Sequence, residues 1–481
     1  MQLARKILVL VFTGLTLLLL LTFKASFPVW LSFAVNGLVL FILFIYHIFY
    51  EKTFSPFLTA FLVFNYLFLF LAPIVQIGSF YGEKAPQFAQ YFPYDEKLAI
   101  YANLLIVLFN LTFFIVYTFL KRNLKPVQIK YADLKNKYSV ILIFSLLIIS
   151  FLIFAFTFPV VLDEIIKPYW IKLNVSKIYV LIINKTLLFL PFAGIILSKH
   201  YLDKSGKKNN NYYFVLLMML VFFLILFWFK NPLTEKRNAL GPLYITLIYI
   251  FKPKWLNNNT KMMLFLFFSM VIIFPLVAII THTAFSLTQL LQNPALLFAT
   301  SDREGFLHIF HTLHYDAFSN IMATIDYVGH EGLAWGRQLL GVLGFYIPRS
   351  LWTEKPFGTG QLVGQYLMDR YHFVFSNLSN PLVSEGFINF GVLGVILMAV
   401  LLAYFVRLML SWINSAHYSK KILAFYFSLH MIFLLRGDLL NGVAYFAGVV
   451  IAVLLIPFLI ERFIFLIHSK SQITDARKQE A

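Results

Sequence analysis

The sequence predicts an all-α polytopic membrane protein with about twelve transmembrane helices and one large external loop that carries amphipathic helices. Three observations predict it. Of 481 residues, 60% are hydrophobic and 12% charged, with a mean hydropathy of +0.80. That is more apolar surface than a soluble core of ordinary proportions can hide, so the solvent must be lipid. Apolar runs of about 18 to 25 residues, long enough to cross about 30 Å of hydrocarbon as helix, recur along nearly the whole chain. A single polar stretch, residues 283–385, interrupts them.

The predicted spans cover residues 7–23, 29–50, 55–79, 97–120, 139–158, 178–198, 212–229, 239–251, 262–282, 387–410, 422–435 and 440–460. The first follows the basic start Met1 to Lys6 and imitates a signal peptide, but its apolar run is long and other spans follow directly, so it reads as uncleaved. The eighth and eleventh are short and are expected to be tilted, broken or flanked by re-entrant backbone. This divides the chain into spans 1 to 9 (residues 1–282), the large loop (283–386), and spans 10 to 12 with a tail (387–481).

Charge sets the orientation. The N-terminus, 51–54, 121–138, 199–211, 252–261, 407–421 and the tail hold most of the 39 Lys and Arg and few of the 21 Asp and Glu, which places both termini in the cytoplasm. The loop 283–385 then faces outward, where acids and bases are nearly balanced, as expected of paired or catalytic groups. The net charge of +18 is spread over short connections between spans, so topology and anionic lipid explain it better than nucleic acid. There is no cysteine, which removes disulfides and thiolate metal sites.

Four outward groups could carry chemistry. In the turn Asn231 to Arg237, Pro232 precedes a short helix and Lys236 and Arg237 stand on the side where cations are depleted. Arg237 is the better phosphate ligand, against a plain role as a snorkelling cation. A helix read over Gly305 to Tyr327 would carry an apolar stripe through Phe306, Phe310, Leu313, Ala317 and Ile321. Glu304, His308, His311 and Tyr315 would share the other face, as a polar surface rather than a metal site. Asp316 falls at the stripe's edge, where partial desolvation would raise its pKa and suit it to a general base or an Arg partner.

The third group is Phe345 to Pro356. Two prolines bracket Arg349, Trp352 and Lys355, a costly composition beside a bilayer unless the cations hold something anionic. Arg349 offers a planar fork for phosphate oxygens and Lys355 a mobile point charge. Trp352 suits a sugar platform or an interface anchor equally well. The last group joins Asn377 to Pro381 with Glu385, read as capping the tenth span, and Arg436-Gly437-Asp438 after the eleventh, which could also be a self-contained surface pair.

These pieces, in this order, resemble the oligosaccharide repeat-unit polymerases, the Wzy-type O-antigen and capsule polymerases. The resemblance rests on Asn231 to Arg237, Asp316-Ala317-Phe318, Gly344 to Pro356, Glu385 with Asn389-Phe390-Gly391, and Leu435 to Asp438. Its motifs lie between about 230 and 440; the first six spans carry no signature. It implies a GT-C-like glycosyltransferase bundle in the bacterial inner membrane, acting on undecaprenyl-diphosphate-linked oligosaccharides as donor and acceptor, without a cofactor, beside a chain-length regulator and a flippase. On that resemblance Arg237, Arg349, Lys355 and Arg436 would bind diphosphate, and Asp316 or Glu385 would serve as base. Trp352, Tyr315, Asn377 and Asp438 would meet sugar. An O-antigen ligase or a lipid-linked oligosaccharide flippase are the alternatives.

Overall fold

The computed structural model describes residues 2–80, 92–121, 136–166, 179–205, 211–232, 235, 237–273, 292–293 and 310–479. Among these the regular structure is helical, without a strand. Nine helical segments among the described residues are long and apolar enough to cross a membrane: Gln2–Thr22, Phe27–Tyr50, Pro56–Gly78, Glu96–Lys121, Ser139–Asp163, Ile182–Ser205, Tyr212–Phe229, Leu382–Ile413 and Leu439–Ile467. Two shorter apolar helices, Ala239–Phe251 and Asn259–Ile273, stand among them. The chain is a polytopic helical membrane protein.

The helices, in chain order, are α1 Gln2–Thr22, α2 Phe27–Ile45, α3 Pro56–Tyr66, α4 Ala72–Phe80, α5 Glu96–Lys121, α6 Asn136–Ile166, α7 Leu190–Ser205, α8 Tyr212–Phe229, α9 Arg237–Phe251 and α10 Asn259–Phe268. After these come α11 Ala317–Glu331, α12 Arg337–Leu343, α13 Thr359–Tyr371, α14 Leu382–Ile413, α15 Tyr418–Arg436, α16 Leu439–Val450 and α17 Ile456–Gln479. Prolines open α2 and α3 at their first turns, where the missing N–H costs nothing.

The core is set by which helices lipid cannot reach. In α3 every residue is buried, and α15 is buried continuously from Ile422 to Met431. These two helices pack on one another, and α15 also packs on α9 and α14. Ring contacts join them to their neighbours, among them Tyr249 stacked on Phe425 at 3.9 Å and Phe61 on Phe113 at 4.2 Å. By contrast α14 exposes Leu393, Leu397, Leu401, Tyr404 and Leu408, a stripe at helical spacing that reads as its lipid-facing side.

Several expected spans take another form. The eleventh, expected to be tilted, broken or flanked by re-entrant backbone, is the continuous nineteen-residue α15, which excludes the broken form, and its polar content is tolerated because protein surrounds it. The sixth is interrupted, with π-helical turns over Tyr179–Asn184 giving way at Lys185 and Thr186 before α7 begins. The tenth starts earlier, at Leu382, and bends at Phe390 and Gly391, where Gly391 has φ 59° and ψ −143°. The expected helix over Gly305 to Tyr327 begins only at Ala317, after a short 3-10 turn at Leu313–Tyr315, and residues 301–309 lie outside the described set.

Residues 310–385 gather at one end of the bundle, here called the loop face. They have a small core of their own, in which Ala323, Val363, Leu367 and Phe373 meet Phe92 and Ile388. Asp326 of α11 accepts hydrogen bonds from Tyr366 (2.6 Å) and Tyr371 (2.7 Å), which ties α11 to the end of α13.

The bend in α14 gives a direct test. A Cβ on Gly391 would have free space, its nearest neighbour being 4.0 Å away, so Gly391→Ala pays only for backbone strain, about 1 to 3 kcal/mol. A Cβ on Gly394 would come within 2.0 Å of the Gly386 carbonyl, which cannot be relieved by a side-chain shift. Thermal unfolding in detergent should show a moderate fall in Tm for Gly391→Ala and a much larger one for Gly394→Ala. Gly14→Ala, with nothing within 4 Å, should match the parent.

Candidate functional site

The site is organised by the sharp turn that joins α15 to α16. Gly437 there has φ 106°, and a Cβ would stand 1.7 Å from the Asn380 carbonyl oxygen, so only glycine fits. The turn sends Arg436 and Asp438 to different partners. Arg436 Nη2 donates to the Leu313 carbonyl at 2.8 Å and to Asp316 Oδ1 at 3.1 Å. Asp316, at the start of α11, is buried, and its carboxylate is thereby paired across more than a hundred residues of chain. The Arg436 Nε is buried without a partner, so the guanidinium retains donor capacity.

On the other side of the turn, Asp438 begins α16. Its Oδ1 accepts from the Leu440 N–H at 3.2 Å, and its Oδ2 accepts from Asn441 Nδ2 at 3.0 Å. Glu385, almost fully buried inside the first part of α14, accepts from Thr359 Oγ1 at 2.7 Å and from the Leu439 N–H at 3.0 Å through Oε1. Lys185, at the break in the sixth span, donates to Asn441 Oδ1 at 2.9 Å and lies 5.0 Å above the Tyr445 ring. Two acids and one lysine therefore meet within the described part of this corner, brought by three separate parts of the chain, with Thr359 supplied by a fourth.

Burial raises the pKa of both aspartates. It pushes Asp316 above the ordinary 3.8, against the opposing pull of Arg436 and Asn320. It raises Asp438 likewise, opposed by the Leu440 N–H, Asn441 and Lys185.

The stretch from Phe345 to Pro356 closes on itself. Lys355 is buried and donates through Nζ to the carbonyls of Phe345 (2.9 Å) and Ile347 (3.0 Å). Burial, then the neighbouring Arg349, pushes its pKa down. Arg349 donates to the carbonyls of Lys355 and Pro356, and its guanidinium lies 4.1 Å from the centre of the Phe357 ring. Trp352 is half-buried with its ring against Gly344, whose Cβ would come within 2.6 Å of it. From Pro356 the chain passes directly over the corner, since a Cβ on Gly358 would be 2.9 Å from Asp438 Oδ2 and Thr359 holds Glu385.

The structure thus joins Asp316 to Arg436, sets Glu385 beside the α15–α16 turn with Asp438, and brings the Arg349 loop to the edge of that corner. It treats other candidates differently. Tyr315 does not share a helical face with His311: it is fully buried, stacks on Phe68 at 4.9 Å and donates its hydroxyl to the Met270 carbonyl at 3.1 Å, so packing rather than sugar contact occupies it. Glu385 is not a surface cap of the tenth span but an interior acid, because α14 begins three residues before it. Asn377 is exposed and rests beside Gly360 at the start of α13. Arg237 is the first residue of α9; its side chain lies outside the described set, as do Lys236, Glu304 and His308.

Sequence reasoning passed over three participants. They are Lys185, at the edge of the sixth span, and Thr359 and Asn441, whose residue types carry no signal on their own. Just before the Asn231 turn a further buried cation, Lys230, bonds Asn184 Oδ1 at 2.8 Å and pairs with Glu235 at 2.7 Å. Its signal was available: a lysine ending an apolar run, five residues before a glutamate.

Arg436 also ends one wall of an apolar cleft. Gly241, Pro242 and Ile245 of α9, Leu266 and Met270 in and just after α10, Phe68, and Leu429, Ile432 and Phe433 of α15 line a small cleft of about 90 Å³, half open to its surroundings. Arg436 is the charged residue of this lining. An apolar trough with one guanidinium suits an amphiphile whose anionic head meets the cation and whose tail follows the trough. Comparison with protein-family models, curated proteins and solved structures finds no match to this chain, so the site is read on its geometry.

The raised aspartates make stability depend on pH. A carboxyl whose folded pKa lies above its unfolded 3.8 favours folding fully below that value and loses the contribution as pH rises through the folded pKa. Tm in detergent should therefore decline from pH 4 upward, and Asp438→Asn should flatten part of the decline. A Tm that rises over this range in the parent, unchanged by Asp438→Asn, would show that the corner holds its charges at no cost.

Proposed function

We propose that the protein polymerises lipid-linked oligosaccharide repeat units at the outer face of a bacterial inner membrane. The observation that carries the proposal is Arg436, paired with buried Asp316 at 3.1 Å, in the lining of the apolar cleft between α9, α10 and α15. Both substrates of such a reaction are undecaprenyl-diphosphate oligosaccharides, which combine an anionic head with a long apolar tail. In this reading the full bundle has about twelve spans in a GT-C-like arrangement, with both termini cytoplasmic and the loop face outward.

The reaction breaks the bond between the anomeric carbon of the growing glycan and its diphosphate oxygen, and forms a bond from that carbon to a hydroxyl of the incoming repeat unit. The hydroxyl proton passes to a carboxylate, and undecaprenyl diphosphate leaves. Arg436, with Arg237 at the start of α9, meets the charge that develops on the leaving group. Asp316 is the base nearest that cation, with Glu385 as the second candidate; burial, which lifts Asp316, raises its affinity for a proton. Arg349 and Lys355 act at one remove in this account. They fix the loop that passes over Glu385 and Asp438, and the remaining guanidinium N–H groups of Arg349 are those that could reach diphosphate. Trp352 and Asn377, at the rim, are the candidates for sugar. A chain-length regulator and a flippase are the expected partners.

The reading is tested by deleting the gene and separating the surface glycans. Acceptors capped by one repeat unit are expected; no transferred glycan at all would point to a ligase or a flippase. Gly241→Leu tests the cleft in the same assay. A Cβ there meets nothing within 4 Å, so the larger side chain fills the trough without disturbing helix packing. Long-chain glycan should fall at least tenfold, about 1.4 kcal/mol, while the protein still inserts at parental level. A normal ladder would exclude the cleft as the carrier site.

A further inference from the structure

The stretch from α12 to Phe357 has two properties that together point to a function its charges alone do not suggest. Between residues 340 and 351 it turns large hydrocarbon side chains outward: Leu340 and Leu343 of α12 are 56% and 82% exposed, and Ile347 and Leu351 beyond it are 44% and 81% exposed, with Ser350 the exposed polar residue among them and Thr353 and Glu354 following. Much of its irregular backbone is satisfied from within. Lys355 caps the Phe345 and Ile347 carbonyls, Arg349 caps those of Lys355 and Pro356, and the Pro348 carbonyl accepts from the Leu351 and Trp352 N–H groups at 3.0 and 3.1 Å.

A water-exposed loop has no need of this, because water satisfies carbonyls without spending two cations. A loop against a protein partner could borrow donors from it. Non-helical backbone at the depth of lipid has neither source and must carry its own donors. The position agrees. α12 packs on α14 and α16, and Gly336 just before it touches Phe390 at the bend of α14. The patch therefore adjoins exposed Val392 and Leu393, where the lipid-facing stripe of α14 begins. Trp335, 73% exposed, and exposed Arg337 precede the patch, residue types that favour the headgroup level.

We propose that residues 340–351 form a membrane-dipping loop, seated in the acyl chains of the bilayer leaflet at the loop face. Arg349 and Lys355 are the internal donors that make this depth accessible. The loop holds the chain that crosses Glu385 and Asp438 against the membrane, so that a membrane-borne head group entering the corner meets it at a fixed height. The membrane contact is independent of which reaction the corner performs.

The absence of cysteine makes the test clean. Single variants Leu343→Cys and Leu351→Cys, with Leu393→Cys as the span reference and Glu354→Cys as the aqueous reference, are spin-labelled in the full-length protein. They are then placed in phosphatidylethanolamine and phosphatidylglycerol vesicles. Collision with oxygen and with a water-soluble nickel chelate reads the environment. Labels at 343 and 351 should match 393, with an oxygen-to-nickel accessibility ratio several-fold above that at 354. Two results overturn the proposal. Nickel access at 343 and 351 equal to that at 354 would put the loop in water. Protection from both reagents would mean that protein, such as a second copy of the chain, covers it.

Discussion

The structure depends on one constraint: the buried central helix α15 ends in an arginine, and the charge must be met where the helix leaves the core. A guanidinium whose side chain is only 21% exposed there is stabilised by being paired and hydrogen-bonded. Asp316 and the Leu313 carbonyl supply this, and in doing so they fix the start of α11 against the bundle. The glycine that follows lets Asn380 approach at backbone distance, so the same turn anchors the chain before α14 as well as the chain before α11. The loop face is thus assembled around the end of α15 rather than laid upon a finished bundle.

A second consequence is that acids are brought inward. Glu385 and Asp438 are held by hydroxyl, amide and backbone donors at a corner where four chain segments cross, and Lys185 stands close enough to temper Asp438. Such groups are expensive as packing elements, since hydrocarbon of the same volume would stabilise the fold at least as well. Their presence at the turn that begins with Arg436 is a cost that the proposed reaction would account for.

Much of this was legible in the sequence, and unevenly so. Hydropathy located the nine long apolar helices found among the described residues, because lipid imposes length and composition directly on a helix. The single letters Asp316, Glu385, Arg436 and Asp438 stood out, because a charge near an apolar run is costly wherever it ends up. Their partners did not: Thr359, Asn441 and the Leu439 N–H are ordinary groups made important by tertiary contact. The expected helix from Gly305 went astray because an apolar stripe at helical spacing was taken across Asp316, which begins the helix instead of riding on its face. For Arg349 and Lys355 the composition rightly signalled an unusual demand. Proximity to the bilayer, and carbonyls that need donors there, account for it as directly as an anionic ligand does.

The central claim is that Arg436 holds the diphosphate of a lipid whose tail lies in the adjoining cleft. The most direct measurement is the shift in unfolding temperature of the purified protein with undecaprenyl diphosphate, against undecaprenol and inorganic diphosphate, for the parent and for Arg436→Lys, which keeps the charge but loses the fork. Undecaprenyl diphosphate alone should stabilise the parent strongly, and Arg436→Lys should lose most of that shift. Equal shifts from undecaprenol, or an undiminished shift in Arg436→Lys, would contradict the account.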